Sequence, residues 1–303
     1  RPALIHGSGY MKKRVVFGLP ITPIRLIEQL AGQSFCVSFG TRSRLGRQLD
    51  DAIRLVDKDG ILLVDNGAYS AWRSGAIKSN GLFDDDFTYW DKFAYWAADL
   101  LKRCPQAVVV LPDVIDGDEA SNDALIHEFI AQANDLGLKI PRDRTMPVWH
   151  LHESLDRLKY LVACEYSFIA FGSSGQYAKC GTPEWHDRIK AAFAAVDEEC
   201  SEGGFVSKRP WIHMMRAQSF ADQYDFDSSD SCNVAVNHCY RKKEGEGHVQ
   251  RMAERIASRI HASCTMQERD ICKPSEIDPF DVDLFWEQVR ELEATMNRKV
   301  VAA

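Results

Sequence analysis

Carboxylates are the reactive groups this sequence offers in its densest arrangement. Residues 224–231 read Tyr-Asp-Phe-Asp-Ser-Ser-Asp-Ser, with three carboxylates and three serine hydroxyls in eight positions. Asp is depleted in strands, and an unpaired buried carboxylate is costly. The run is therefore expected to leave the end of a short strand over 225–227 rather than to fill a strand interior. Asp227 becomes the leading candidate for a catalytic carboxylate, and Asp230 is the second candidate three residues on. Other polar residues follow apolar runs in the same way. Asp65, Asn66 and Gly67 follow 61–64, Asp113 follows 107–111, and His150 and His152 follow 145–149. Gly172, Ser173 and Ser174 follow 168–171, while His213 lies within or at the end of 210–215. One Asp after a strand is usually a turn residue or a helix cap. Six such positions in step are harder to explain as caps.

The set narrows the chemistry. There is no G-x-S-x-G elbow and no phosphate-binding P-loop, whereas carboxylates are plentiful. A carboxylate tuned by burial and neighbours acts as nucleophile or general base. Three of them facing one pocket suit attack at an acetal-like carbon. One captures the oxocarbenium ion while another handles the leaving group's proton. Gly172 and Ser173 would let backbone approach a flat ligand. Tyr69, Trp72 and Trp149 are placed to stack on a ring, with core packing as the alternative. A second enzyme reading is a metal-dependent hydrolase with His150, His152, His213 and Asp227 as ligands. A third is a barrel that binds a nucleobase or nucleic acid without chemistry.

The elements that must position these residues alternate along the chain. Strands are expected over 15–18, 35–39, 61–64, 107–111, 145–149, 168–171, 210–215 and 225–227. Helices are expected over 24–31, 45–56, 87–103, 118–136, 154–163 and 183–200, with a helical turn over 219–223. Asp118 and Ser154 read as N-caps, and Pro183 at a first turn follows Thr182. About eight strands separated by helices favour a parallel sheet, and eight is the number that closes a (β/α)₈ TIM-like barrel. A doubly wound open sheet is the alternative, but no G-x-G-x-x-G follows the first strand. Residues 1–10 read as a vector-derived tail and 11–231 as the catalytic barrel. Residues 232–303 read as a loop (233–247) and C-terminal helices, 248–261 and 282–298, forming a helical extension packed on the barrel.

Composition bounds the rest. Of 303 residues, 45% are hydrophobic and 27% charged, as in soluble globular chains, with no apolar run long enough for a membrane span and no signal-peptide pattern. A cytoplasmic protein without a membrane partner is expected. Nine scattered cysteines read as reduced thiols rather than a disulfide framework. The net charge of −7 argues against nucleic-acid binding by bulk electrostatics but leaves room for a local basic groove. Arg42, Arg44 and Arg47 form one basic cluster, and Arg241, Lys242 and Lys243 another.

Several segments, in order over residues 60–230, resemble the tRNA-guanine transglycosylase family. Leu63-Val64-Asp65-Asn66-Gly67-Ala68-Tyr69 is similar to its D-S-G-G-F segment, and Leu111-Pro112-Asp113 to its second strand-end aspartate. Met146-Pro147-Val148-Trp149-His150 resembles its V-Q-G segment, with His150 where the family has a base-reading glutamine. Ile169-Ala170-Phe171-Gly172 resembles G-L-A-V-G, and Ile212-His213-Met214-Met215 resembles H-L-M-G. Phe226-Asp227-Ser228 resembles the F-D-C nucleophile segment. The resemblance implies that Asp227 attacks C1′ of a guanosine nucleotide, expels guanine and holds a covalent glycosyl intermediate. It implies that Asp65 assists proton transfer at an incoming 7-deazaguanine base. Asp113 and His150 would read the base edge, with Gly172 and Ser173 at its carbonyl. Asn66, Gly67, Tyr69, His213, Met214 and Ser228 complete the implied substrate site. The family's C-x-C-x-x-C…H zinc site has no counterpart of that spacing. Cys232, His238, Cys239 and His248 are the residues available for a zinc of different layout, and no other cofactor is expected. These departures resemble the branch that inserts deazaguanines into DNA, so DNA is favoured over tRNA as the partner.

Overall fold

The structure is a computed structural model that describes residues 14–73, 89–201, 206 and 208–263. Nine strand segments are present among these residues: β1 (Arg14–Gly18), β2 (Ser34–Ser38), β3 (Leu62–Asp65), β4 (Ala107–Val110), β5 (Thr145–Met146), β6 (Val148–His150), β7 (Phe168–Gly172), β8 (Trp211–Met214) and β9 (Ser228–Ser231). Every pairing is parallel, in the order β5-β4-β3-β2-β1-β9-β8-β7-β6. The two ends of that order are neighbours in the chain, separated by Pro147 alone. Proline has no N–H for a ladder, so the strand is interrupted there. Its carbonyls still pair on both sides: Met146 O accepts from Leu111 N at 3.0 Å, and Pro147 O accepts from Ala170 N at 2.9 Å. The sheet thus comes round on itself as a TIM-like α/β barrel, as the alternation of strand and helix patterns predicts.

Strand alternation sorts the apolar residues into two layers. Val16, Ile61, Leu63, Val108, Val110, Met146, Val148 and Ala170 fill the barrel. Their neighbours Phe17, Phe35, Val37, Val64 and Val109 face outward against helices. On the far side Ile169, Phe171, Ile212 and Met214 pack outward with Trp149, Leu158, Trp185 and Ile189. Capping places the helices as expected. Asp118 accepts from Ser121 N at 2.8 Å ahead of helix Glu119–Asp135, and Ser154 accepts from Arg157 N at 3.1 Å ahead of Leu155–Ala163. Thr182 and Pro183 open helix Pro183–Cys200.

Three expectations are corrected. The helix over 45–56 is two, Arg42–Leu45 and Gln48–Leu55, because Gly46 adopts a positive φ of 51° between them. Residues 233–247 are not loop throughout, since Asn233–Asn237 and His238–Glu244 are short helices. The final strand is Ser228–Ser231, not 225–227. A Ser-Ser-Asp-Ser strand is tolerated because its inward pair, Ser228 and Asp230, finds polar partners inside the barrel. Helix His248–Ser263 follows, with Val249, Met252, Ala253 and Ile256 in the same core as β1 and helix Ile24–Leu30. The described residues belong to the first of two units, which ends at residue 265. The expected tail over 1–10, the expected helix over 282–298 and the start of the helix expected from residue 87 lie outside the described residues.

Candidate active site

Moving the last strand by three residues moves Asp227 to the other end of the barrel. Its N–H donates to Ile212 O at 2.9 Å, and its carbonyl accepts from Arg14 N at 2.9 Å, both near the starts of their strands. Its carboxylate accepts from Ile212 N at 2.7 Å and from Arg209 Nη1 at 3.1 Å. Burial raises its proton affinity, and Arg209 and the Ile212 N–H only partly oppose this. Asp227 therefore clamps the amino ends of β8 and β1 and does not share the carboxyl mouth with Asp65 and Asp113. The sequence pattern misplaced it because a serine- and aspartate-rich run was not read as strand.

Asp230 takes the position expected of Asp227. It is on β9 paired with Val16, faces into the barrel, and keeps 22% of its side chain exposed. Asp65 ends β3, level with Ser38 at the end of β2. The two carboxylates are close enough to act on each other electrostatically, and Asp113 acts on Asp65 as well. Their proton affinities nevertheless move apart. Burial, with Asp113 and Asp230 as like charges, pushes Asp65 up to about 6, against the opposing Ser38 hydroxyl bond and the Arg216 charge. Burial also acts on Asp230, but His213 and Arg216 outweigh it and hold this carboxyl below its ordinary value. At neutral pH the mouth thus pairs an ionised carboxylate with one poised to exchange a proton. Two thiols stand beside them. Burial and these carboxylates raise Cys36 well above an ordinary thiol, so it is no ready nucleophile, while Cys232 is the exposed one of the two.

Arg216, two residues past the end of β8, carries no catalytic motif and was missed. Its φ of 68° is a left-handed conformation that costs a non-glycine residue energy, and such outliers gather at functional sites. The bend aims its N–H at Asp230 Oδ1, 2.9 Å away, and sets its guanidinium 3.7 Å above the Tyr69 ring. A cation just past a strand end, facing carboxylates, is the signal that could have found it. Ser38, the hydroxyl on Asp65, was missed for the same want of a motif. Gly67 is near as expected. Its φ is 73°, its N–H donates to Asp65 Oδ2 at 3.2 Å, and a Cβ there would lie 2.4 Å from Gly40 N.

A second sector of the mouth is closed upon itself. Asn66 Nδ2 donates to Leu111 O at 2.6 Å and Asp113 Oδ1 at 2.8 Å, and its Oδ1 accepts from Ala68 N at 2.8 Å. Asp113 Oδ2 meets His150 Nε2 at 3.0 Å. Glu153 accepts from the His150 N–H at 2.8 Å and from Asn122 Nδ2 at 2.9 Å, and pairs with Arg157, which also bonds Asp123 at 2.9 Å. Burial lowers the proton affinity of His150, but Asp113 and Glu153 on either side outweigh it and raise His150 to about 9. His150 and Asp113 are thus committed to each other. Gly172 serves the same sector, since a Cβ there would stand 3.3 Å from the His150 ring and 3.2 Å from Val148. Ser173 Oγ accepts from Trp185 Nε1 at 3.0 Å.

Other expected site residues divide between the outer layer and the barrel interior. Met214 faces the outer helices, and Trp149 is fully buried there with Nε1 donating to Ser154 O at 2.9 Å. Trp72 is 39% exposed beside Tyr69. His213 and Ser228 are inside the barrel, bonded to each other at 2.8 Å. The ligand set His150, His152, His213 and Asp227 is dispersed. His152 is held by Ser174 Oγ at 2.7 Å and Gly117 O at 3.0 Å, while the others have the separate partners given above. His238 and His248 approach to 3.4 Å, Cys232 lies against Gly18, and Cys239 is exposed. Among the described residues no three His, Cys, Asp or Glu side chains are grouped to hold a metal ion. A groove of about 440 Å³ lies between helices Glu119–Asp135 and Leu155–Ala163, lined by Ile126, Ile130, Tyr160 and Tyr166 and away from Asp65 and Asp230.

Fold and mouth together define a TIM-like α/β barrel with a carboxylate pair at the carboxyl ends of its strands, where enzymes of this architecture place their active sites. No known protein family's sequence profile matches the chain, and no curated protein matches it significantly. Among the described residues no helix is long and apolar enough to cross a membrane.

Proposed function

We propose that the chain is a base-exchange enzyme of the transglycosylase type, acting on guanine in nucleic acid and inserting a 7-deazaguanine. The observation that carries this reading is the pair Asp230 and Asp65, one held ionised and one raised to about 6, at one mouth. An ionised carboxylate is what attack at an anomeric carbon needs, and a near-neutral one is what proton exchange with a base needs. Asp230 attacks C1′, the C1′–N9 bond breaks, and its electron pair leaves with guanine, which takes a proton from Asp65. The incoming base returns a proton to Asp65 as its ring nitrogen attacks C1′ and releases Asp230. Asp230 thus takes the role that the family resemblance gave to Asp227. Tyr69, carrying Arg216 on one face, borders the space where a flat base would stack.

DNA is the favoured substrate over tRNA, because Cys232, His238, Cys239 and His248 lack the zinc spacing of the tRNA enzymes. Both basic clusters follow strands that end at the mouth. Arg42, Arg44 and Arg47 come after β2, and Arg241, Lys242 and Lys243 after β9, all exposed. They supply phosphate contacts that the overall charge of −7 does not. In a duplex the target nucleotide must leave the stack to reach this mouth.

The test is a trapping experiment. Wild-type protein is incubated with guanine-containing DNA or tRNA and run on a denaturing gel. The expected result is a denaturant-stable adduct with DNA that Asp230→Asn abolishes and Asp227→Asn keeps. Loss of the adduct in a folded Asp227→Asn variant, with survival in Asp230→Asn, would reverse the assignment.

A further inference from the structure

A column of polar groups runs up the inside of the barrel toward Asp230. Trp211 begins β8, His213 is the next inward residue on that strand, and Ser228 and Asp230 are the inward pair on β9 beside it. Trp211 Nε1 is 2.7 Å from Ser228 Oγ, Ser228 Oγ is 2.8 Å from His213 Nδ1, and His213 Nε2 is 3.5 Å from Asp230 Oδ1. His213 is wholly buried, and among the described residues its Nε2 makes no hydrogen bond. A wholly buried ring nitrogen facing a carboxylate across 3.5 Å calls for an explanation.

Donor capacity supplies one. An indole N–H only donates, so Ser228 Oγ accepts from Trp211. The serine hydrogen then has His213 Nδ1 as its acceptor, which leaves the imidazole hydrogen on Nε2. The opposite tautomer strands the serine hydrogen and points a nitrogen lone pair at a carboxylate. The chain of bonds therefore has one direction, beginning at an indole that cannot reverse it. At its far end Asp230 Oδ1 already takes the Arg216 N–H at 2.9 Å. Among the described residues Oδ2 takes no hydrogen bond.

We infer that Trp211, Ser228 and His213 form a directional relay that presents Nε2–H to Oδ1 of Asp230, fixing that oxygen and leaving Oδ2 as the atom that bonds to the sugar. These are positioning residues, and the arrangement of Asp230 stands whatever the reaction. Only the naming of Oδ2 as the attacking oxygen rests on the function proposed above. The gap at Nε2 shortens when substrate excludes water, as catalytic contacts commonly do. The charged and titratable groups facing Asp230 are Asp65 on β3, Cys36 on β2, Cys232 after β9, Arg216 after β8 and His213 itself.

Two measurements test the relay without using turnover. In ¹⁵N-histidine-labelled protein, His213 is expected to show a protonated Nε2 and a bare Nδ1. A ring with its hydrogen on Nδ1 overturns the proposal without any substitution. In ¹³C-carboxyl-aspartate-labelled protein, with Asp230 assigned through Asp230→Asn, the carboxyl titration is followed in three folded variants. Ser228→Ala and His213→Asn are expected to raise the Asp230 midpoint by about one unit, the effect of losing one charge-assisted hydrogen bond. His213→Gln, whose amide reaches where Nε2 was, is expected to keep the midpoint near wild type. Equal midpoints in all three variants would overturn the relay. A correct tautomer with no adduct in the trapping experiment would instead fault the proposed reaction, and an adduct with the wrong tautomer would fault only the relay.

Discussion

The barrel mouth has two acidic sectors built from the same residue types with opposite outcomes. In one, Asp113, His150, Glu153, Arg157 and Asn66 are paired chiefly with one another, and the side chains of His150 and Glu153 are only 3% and 1% exposed. In the other, Asp65 and Asp230 have hydroxyl, backbone and imidazole neighbours but, among the described residues, no Lys or Arg in salt-bridge contact, and Asp230 remains 22% exposed. A carboxylate matched by a buried cation becomes a brace. One matched by hydrogen bonds at an aperture keeps a lone pair for chemistry. Residue type does not separate the two cases; the partner and the exposure do.

Breaking the closed sector should produce the largest loss of stability. Glu153→Ala leaves buried Arg157 with only the half-exposed Asp123 as an ionic partner, strips His150 of its second carboxylate, and is expected to cost about 3 kcal/mol in denaturant unfolding. A cost below about 1 kcal/mol would show that the sector is no brace. His150 sharpens the same point through pH. Its proton affinity is raised from the ordinary histidine range to about 9 in the folded chain. Its contribution is therefore full below about pH 6.5 and lost as pH rises through about 9. Unfolding followed between pH 6 and 10 should show stability falling by about 3 kcal/mol, and His150→Gln should flatten that slope.

The open sector should respond in the opposite sense. Asp65, raised to about 6, favours its protonated form in the folded chain, so ionising it costs stability as pH rises from about 4 through about 6. Asp65→Asn is expected to raise stability at pH 8 by about 1–2 kcal/mol, discounted for partial exposure, while abolishing the proposed base exchange. No gain at pH 8, or a gain equally large at pH 3, would contradict the shift. The smallest effect belongs to Asp227→Asn at the far end. Weakening its bonds to Arg209 and Ile212 should cost about 1 kcal/mol and leave turnover per folded molecule unchanged.

The fold was largely legible. Apolar runs ending in polar residues gave the strands, and Asp118, Ser154 and Thr182 gave the helix starts, because both signals are local. The site was legible in part. Asp65 and Asp113 could be placed because each follows an unmistakable apolar run. The last strand could not, because its four residues are Ser, Ser, Asp and Ser. The pairing of Ser228 and Asp230 with His213 and Arg216 makes that strand tolerable, and those partners lie 14 to 17 residues away. Arg216 itself depends on a left-handed turn that no residue type announces.

By itself the sequence determined the alternation of strand and helix, and with it a parallel barrel, since side-chain period and capping act over a few residues. Only the tertiary structure decided which aspartate faces the mouth and which is a clamp at its far end. Three residues along a strand change both the face and the end of the barrel that a side chain occupies, and neighbouring strands then determine whether its charge is neutralised, held or left to react.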